Sequence, residues 1–75
     1  MNISVEDLKK ELAKSYKGDL DIIDANTLLR ENIDSLDMLD FYMNIEESYN
    51  LTIPDEDIEK LKTLNDFILY LENKR

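Results

Sequence analysis

Residues 34–49 read DSLDMLDFYMNIEESY, and this stretch decides the fold. Its apolar residues recur at the spacing of a helix, which predicts an α-helix from about Ser35 to Tyr49. At about 100° per residue, the side chains separate onto two faces. One face is apolar and is the predicted core face; it consists of Met38, Phe41, Tyr42, Ile45 and Tyr49.

The opposite face of this helix mixes large apolar residues with acids, whereas an ordinary solvent face is polar throughout. It consists of Leu36, Asp40, Met43 and Glu47, flanked by Leu39 and Glu46. Two interpretations stay open. Leu36 and Leu39 pack under a neighbouring loop, or the face is a docking surface whose apolar anchors bind a partner and whose acids steer it.

Before this helix, the sequence predicts one other helix and a long loop. Ser4, with Asp7 three residues later, is typical of a helix start, and an apolar stripe runs from Val5 to Tyr16. Gly18 suits the end of that helix. Residues 19–34 lack a long periodic pattern, so we expect a loop pinned by its Leu and Ile side chains, with a helical turn near residues 27–31.

After the central helix, two more helices are predicted. Pro54 suits the first position of a short third helix, and acids fill the turn after it. Thr63 and Asp66 cap a fourth helix with its own apolar stripe. The predicted fold is a small all-α four-helix bundle over residues 1–75, a single domain with a long loop between its first two helices.

The composition excludes several functions. The chain has no Cys and no His, so it cannot form a disulfide, a thiolate nucleophile, a Cys-based zinc site or a Ser-His-Asp triad. Its net charge of −9 should repel nucleic acid and anionic lipid and favour partners with basic patches. No apolar run is long enough to span a membrane, and no signal peptide is visible, so we expect a cytoplasmic monomer.

The acidic residues are unevenly distributed. Residues 18–59 contain thirteen acids and one base, Arg30. Two stretches, beginning at Asp19 and Asp55, start like the calcium loop of an EF-hand, but neither continues with the required ligands and glycine. We therefore predict no dedicated metal site.

The pair Asp34-Ser35 allows two interpretations. Both residue types are good helix caps, and Asp34 has Asp37 three residues later. Alternatively, Ser35 is an exposed attachment point at the end of a long loop. It cannot be a hydrolytic nucleophile, because the chain has no base of the usual kind to activate it.

A set of motifs surrounding this pair resembles acyl carrier proteins. The matching residues are Asp34-Ser35-Leu36-Asp37, Met43, Ile45-Glu46-Glu47, Tyr49 and Ile53-Pro54-Asp55-Glu56. The match continues without a gap to about Leu71. Each motif alone is weak, but together in an acidic chain of this length they identify the chain as a member of that family.

The resemblance implies a carrier rather than an enzyme. Ser35, supported by Asp34, would receive 4′-phosphopantetheine from coenzyme A through a separate phosphopantetheinyl transferase, and the arm would hold acyl groups as thioesters. Enzymes that transfer, elongate or ligate acyl groups would dock on this helix through their basic patches. The docking residues would be Leu36, Leu39, Asp40, Met43, Glu46 and Glu47. Tyr42, Ile45, Phe67 and Ile68 would line the interior that receives the acyl chain. Fatty acid or related lipid or polyketide biosynthesis is the implied setting.

The chain also departs from the family pattern. Asn32 stands where those proteins usually have Gly, and we expect it to keep a left-handed turn, because Asn tolerates that conformation. Phe41 and Tyr42 are bulkier than the usual residues and should reduce the interior space. Two alternatives therefore stay open: a specialised carrier for aminoacyl or secondary-metabolite groups, and an acidic adaptor that is never modified.

Overall fold

The computed structural model describes residues 3–74, which form five α-helices and a single 3-10 turn. The helices are α1 (Val5–Ala13), α2 (Leu29–Asn32), α3 (Ser35–Tyr49), α4 (Asp55–Ile58) and α5 (Leu64–Lys74), and the 3-10 turn is Leu20–Ile22. Helix α1 packs against α3 and α5. The small helical bundle with a long first loop is confirmed; α4 is the predicted short helix, and α2 is the helical turn that was predicted inside the loop near residues 27–31.

Helix α1 begins as predicted but ends earlier. Ser4 Oγ accepts the Asp7 N–H at 3.1 Å, and Asp7 Oδ2 accepts the Ser4 N–H at 3.0 Å. The predicted end at Gly18 is wrong, because the helix stops at Ala13 and Gly18 has no positive φ. The last carbonyls are satisfied without a left-handed glycine. The Ser15 and Tyr16 N–H groups donate to the Leu12 carbonyl, and Asn44 Nδ2, from α3, joins the Lys14 N–H at the Glu11 carbonyl at 3.3 Å.

The long loop is held in place by buried side chains and by backbone hydrogen bonds to the opposite end of the chain. Ile23 and Leu29 are fully buried. The Leu29 N–H donates to the Lys62 carbonyl at 2.9 Å, and the Asn65 N–H donates to the Ala25 carbonyl at 3.0 Å. The loop is therefore pinned across the bundle as predicted, but by fewer apolar residues than expected, because Ile22 and Leu28 are exposed.

The predicted left-handed turn at Asn32 is wrong. Asn32 is the last residue of α2, and its side chain donates to the Leu28 carbonyl at 3.1 Å. Among the residues that the structure describes, the one non-glycine with positive φ is Asn50, at φ 54°, which ends α3. The right-handed turn of α2 stands where the family pattern has a glycine. The Ile33 N–H and the Asn32 side-chain amide satisfy the Leu29 and Leu28 carbonyls of this turn.

Aromatic rings fill the interior between α3 and α5. The Phe41 and Phe67 rings meet edge to face with centroids 5.0 Å apart, and Tyr42 stacks on Phe67 at 5.8 Å. Ile45 is fully buried beside them, whereas Tyr49 is only half-buried. None of the helices within residues 3–74 is long and apolar enough to cross a membrane.

Candidate functional site

Asp34 caps helix α3, and Ser35 follows as its first residue. Asp34 has extended backbone, and its Oδ1 accepts the Asp37 N–H at 2.9 Å. Both residues are exposed. Because the aspartate supplies the cap, the Ser35 hydroxyl is not needed for that purpose.

A comparison of the four serines distinguishes Ser35. Ser4 Oγ accepts the Asp7 N–H, Ser15 Oγ accepts from the Asn44 amide at 2.9 Å, and Ser48 Oγ donates to Glu11 Oε1 at 2.8 Å. Ser35 Oγ makes no hydrogen bond within the described residues 3–74. Ser35 thus combines exposure with a hydroxyl that no other part of the fold uses.

The outward face of α3 is open to solvent. Leu36, Leu39 and Met43 are exposed at 72%, 54% and 62% of their surface. The interpretation that the two leucines pack under the loop is therefore wrong. Asp40 and Glu47 are exposed on the same helix. The fold thus leaves an apolar strip bordered by carboxylates, which we call the outer face of α3 and define as Leu36, Leu39, Asp40, Met43 and Glu47.

Glu46 differs from its neighbours on this helix. It is half-buried, and its Oε2 accepts the Ile53 N–H at 2.6 Å. The Leu51 N–H also donates to the Glu46 carbonyl, at 3.0 Å. The carboxylate therefore holds the connection between α3 and α4, and it is less available to a partner than the carboxylates of Asp40 and Glu47.

A cavity of about 430 Å³ opens beside Ser35. Asp34 and Ser35 lie on its wall, most of the remaining wall is apolar, and two polar side chains complete it; the apolar residues are Ile33, Met38, Leu39 and Ile58, and the polar ones are Arg30 and Tyr42. The cavity brings together residues from α2, α3 and α4.

The interior predicted for an acyl chain is only partly available. Of the four residues that the resemblance implied, Tyr42 lines the cavity, whereas Ile45 and Phe67 are fully buried in the packed core and Ile68 is half-buried. The Tyr42 ring, stacked on Phe67, stands between the cavity and the core. The expectation that bulky aromatics occupy the interior agrees with this packing.

Arg30 is the polar cavity residue that the sequence did not single out for a site. Its Nη2 donates to the Tyr42 hydroxyl at 3.3 Å and to the Ile58 carbonyl at 3.4 Å. The signal present in the sequence was that Arg30 is the one base in residues 18–59. Nothing local in the sequence connected it to Tyr42, twelve residues away.

Tyr70 is a titratable residue that does not line the cavity. Burial, together with the hydrogen bond to Asp57 and the charges of Asp57 and Glu46, raises the pKa of Tyr70 to about 12. The Tyr70 hydroxyl donates to Asp57 Oδ2 at 2.7 Å and thereby ties α5 to α4. Within residues 3–74, no three carboxylates come together in a way that could hold a metal ion.

A family model and several known proteins match this chain, and they agree with one another. A family model described as "Phosphopantetheine attachment site" matches residues 6–71. The chain is similar to an acyl carrier protein of Campylobacter lari, at 34% identity over 70 residues that cover 91% of each chain. It is similar to the acyl carrier protein of an Exiguobacterium strain at 33% identity, covering 91% of this chain and 89% of the other. A Bdellovibrio bacteriovorus acyl carrier protein is 56% identical over 41 residues, 55% of this chain and 53% of the other.

Proposed function

Because the chain belongs to the acyl carrier protein family, a family of carriers rather than catalysts, we propose that Ser35 is the residue that bears 4′-phosphopantetheine. The observation that supports this most is the exposed Ser35 hydroxyl, which no hydrogen bond within residues 3–74 engages. When attached, the group supplies a thiol that holds acyl cargo as a thioester. This thiol is necessary for such a carrier, because the chain has no Cys.

The residues present fit the attachment. Ser35 lies on the wall of the cavity, so an arm attached there could place its cargo against the protein. In the transfer, Ser35 Oγ attacks the coenzyme A phosphorus that carries the pantetheine. The bond from that phosphorus to the bridging oxygen breaks, and adenosine 3′,5′-bisphosphate leaves. The hydroxyl proton passes to a base of the transferase, because this chain has no His to take it.

Asp34 is the proposed supporting residue. Its Oδ1 is committed to the Asp37 N–H, which fixes the backbone at the start of α3. The carboxylate is exposed next to Ser35, and a metal ion of the transferase could bind its second oxygen. Asp34 therefore both orients the serine and presents charge to the enzyme.

The outer face of α3 is the proposed docking surface. Its exposed leucines and methionine would supply the apolar contact, and Asp40 and Glu47 would attract basic patches on the transferase and on acyl-transferring, elongating or ligating enzymes. Glu46 contributes less, because its carboxylate already accepts the Ile53 N–H. Electrostatic attraction accelerates encounter without requiring tight binding, which suits a carrier that visits several enzymes.

Fatty acid or a related lipid or polyketide biosynthesis is the proposed setting, with the chain acting as a cytoplasmic monomer. A specialised carrier for an aminoacyl or secondary-metabolite group is the second candidate. The packing of Phe41 and Tyr42 on Phe67 favours it, because these rings occupy space that a long acyl chain would need.

Intact mass spectrometry tests the attachment. The protein is incubated with coenzyme A, Mg²⁺ and a phosphopantetheinyl transferase of broad specificity. We expect a single phosphopantetheine increment on the wild type and on Ser48→Ala, and none on Ser35→Ala. No increment on the wild type would instead support the unmodified adaptor and would contradict the proposal.

A further inference from the structure

The cavity beside Ser35 has a polar end, formed by Arg30 and Tyr42. Apart from Asp34 and Ser35, the remaining wall is apolar and includes the buried side chain of Met38. Arg30 is an exposed residue, so water satisfies its guanidinium in the free protein; an acceptor oxygen in the cavity could replace that water, whereas an apolar chain could not.

Arg30 retains hydrogen-bonding capacity. Its two hydrogen bonds use Nη2 alone, at 3.3 and 3.4 Å, longer than the usual range of about 2.7–3.2 Å. In the described part of the chain, no carboxylate oxygen lies within 4.0 Å of its guanidinium. Because a guanidinium has five N–H donors, the Nε and Nη1 donors are available to a ligand.

The Tyr42 hydroxyl also has unused hydrogen-bonding capacity. The residue is buried, and its oxygen accepts from Arg30. Among residues 3–74, that hydroxyl donates to no acceptor. A buried hydroxyl is most stable when it both accepts and donates, so an acceptor oxygen entering the cavity would complete its bonding.

Arg30 is a positive charge in a strongly acidic part of the chain. Residues 18–59 have a net charge of −12, and Arg30 is their one cation. Asp34, on the same wall, has its Oδ1 engaged with the Asp37 N–H. The one cationic donor that this segment offers to an acceptor oxygen on the cargo is therefore Arg30, next to the Tyr42 hydroxyl.

The cavity is also limited in depth. The Tyr42 ring closes it toward the core, where Phe41 and Phe67 are packed without exposure. We infer that the cavity binds a short acyl group whose distal end carries a hydrogen-bond acceptor oxygen, and that Arg30 and Tyr42 determine this specificity. The inference rests on the proposed attachment of the arm at Ser35.

The test compares three cargoes of similar size and different polarity with one longer apolar cargo. The transferase loads Ser35 from 5-oxohexanoyl, glutaryl, 5-methylhexanoyl or decanoyl coenzyme A, and intact mass confirms each product. The rate of thioester cleavage by hydroxylamine is then divided by that of the same coenzyme A thioester. We expect the 5-oxohexanoyl form to be protected about threefold more than its apolar isostere, as one hydrogen bond of ordinary strength would give. The glutaryl form should be protected at least as well, because its acceptor is charged.

Three variants assign the effect. Arg30→Gln should remove the preference for the polar cargo, and Tyr42→Phe should reduce it while keeping the ring on Phe67. Lys60→Gln removes the same charge from an exposed residue that does not line the cavity, and should leave the preference unchanged. Circular dichroism and thermal melts verify that each variant is folded.

The outcomes distinguish a failure of the attachment at Ser35 from a failure of the cargo specificity. A wild type that takes no phosphopantetheine overturns the attachment and this inference together. Loaded forms with equal protection for both isosteres, or with decanoyl protected most, overturn the cargo specificity alone. If the Arg30→Gln protein keeps the full preference for the 5-oxohexanoyl cargo, Arg30 does not contact that cargo, and the inference is wrong.

Discussion

Helix α3 carries large apolar side chains on two opposite faces, and the fold covers one of them. On the inner face, Phe41 and Ile45 are fully buried. On the outer face, Leu36 and Met43 remain exposed at 72% and 62%. Apolar content alone does not distinguish the faces. The inner face is covered by α1 and α5 of the same chain, whereas the outer face has no covering element within residues 3–74 and is available to a partner.

The strongest way to test this contrast is to truncate one residue on each face. Phe41→Ala should lower the free energy of unfolding by about 3–5 kcal/mol, because it leaves a cavity against Phe67. Met43→Ala should change it by less than about 0.5 kcal/mol. Urea denaturation measures both, and Phe41→Leu serves if the alanine variant does not fold. Equal losses at the two positions would contradict the contrast.

Two adjacent glutamates sharpen the boundary between the faces. Glu46→Gln should destabilise the fold by about 1–2 kcal/mol, because a charged acceptor for the Ile53 N–H is replaced by a neutral one. Glu47→Gln removes the same charge from an exposed residue and is the matched control, with little expected change. Thermal melts compare the two. A larger loss at Glu47 would show that the structural role was assigned to the wrong residue.

Charge reversal on the outer face should affect encounter rather than folding. Asp40→Lys and Glu47→Lys should each lower kcat/KM with the transferase by roughly threefold to tenfold at low salt, because attraction to a basic patch is lost. The melting temperature should stay the same or rise, since each change reduces repulsion among the acids. Initial rates across a salt series provide the measurement. Unchanged rates in both variants would remove this face from the interface.

The smallest expected effect concerns the contact between α4 and α5, away from both faces. The pKa of Tyr70 is raised to about 12 in the folded protein, against about 10 in an unfolded chain. A raised pKa stabilises the fold below pH 10, and that contribution is lost as pH rises from about 10 to about 12. Tyr70→Phe should therefore flatten the fall in melting temperature over this interval. A wild type and variant with parallel curves would contradict the assignment.

Local patterns in the sequence were sufficient for much of the fold. Helical periodicity predicted α3 from Ser35 to Tyr49, as the structure has it, and the Ser4–Asp7 pair marked the start of α1. The end of α1 could not be predicted in this way. Its last carbonyls accept from the following backbone N–H groups and also from the Asn44 side chain, which reaches the Glu11 carbonyl from another helix.

In the candidate site, too, local features could be predicted from the sequence, whereas contacts between distant residues could not. The Asp34-Ser35 motif and the two-faced helix are local features and were visible in the sequence. The engagement of Glu46 with Ile53 depends on how the chain turns after Asn50. The cavity's polar end joins Arg30 to Tyr42 and to the Ile58 carbonyl, residues 12 and 28 positions apart, and only the packing of α2 against α3 and α4 brings them together.

The most direct test of the central claim is to locate the modification along the chain. After treatment with coenzyme A and the transferase, the protein is digested and its peptides are sequenced by tandem mass spectrometry. We expect the phosphopantetheine increment on Ser35, whose hydroxyl the described fold does not engage, and not on Ser4, Ser15 or Ser48, whose hydroxyls form hydrogen bonds. An increment on any of those three serines, with Ser35 unmodified, would contradict that claim.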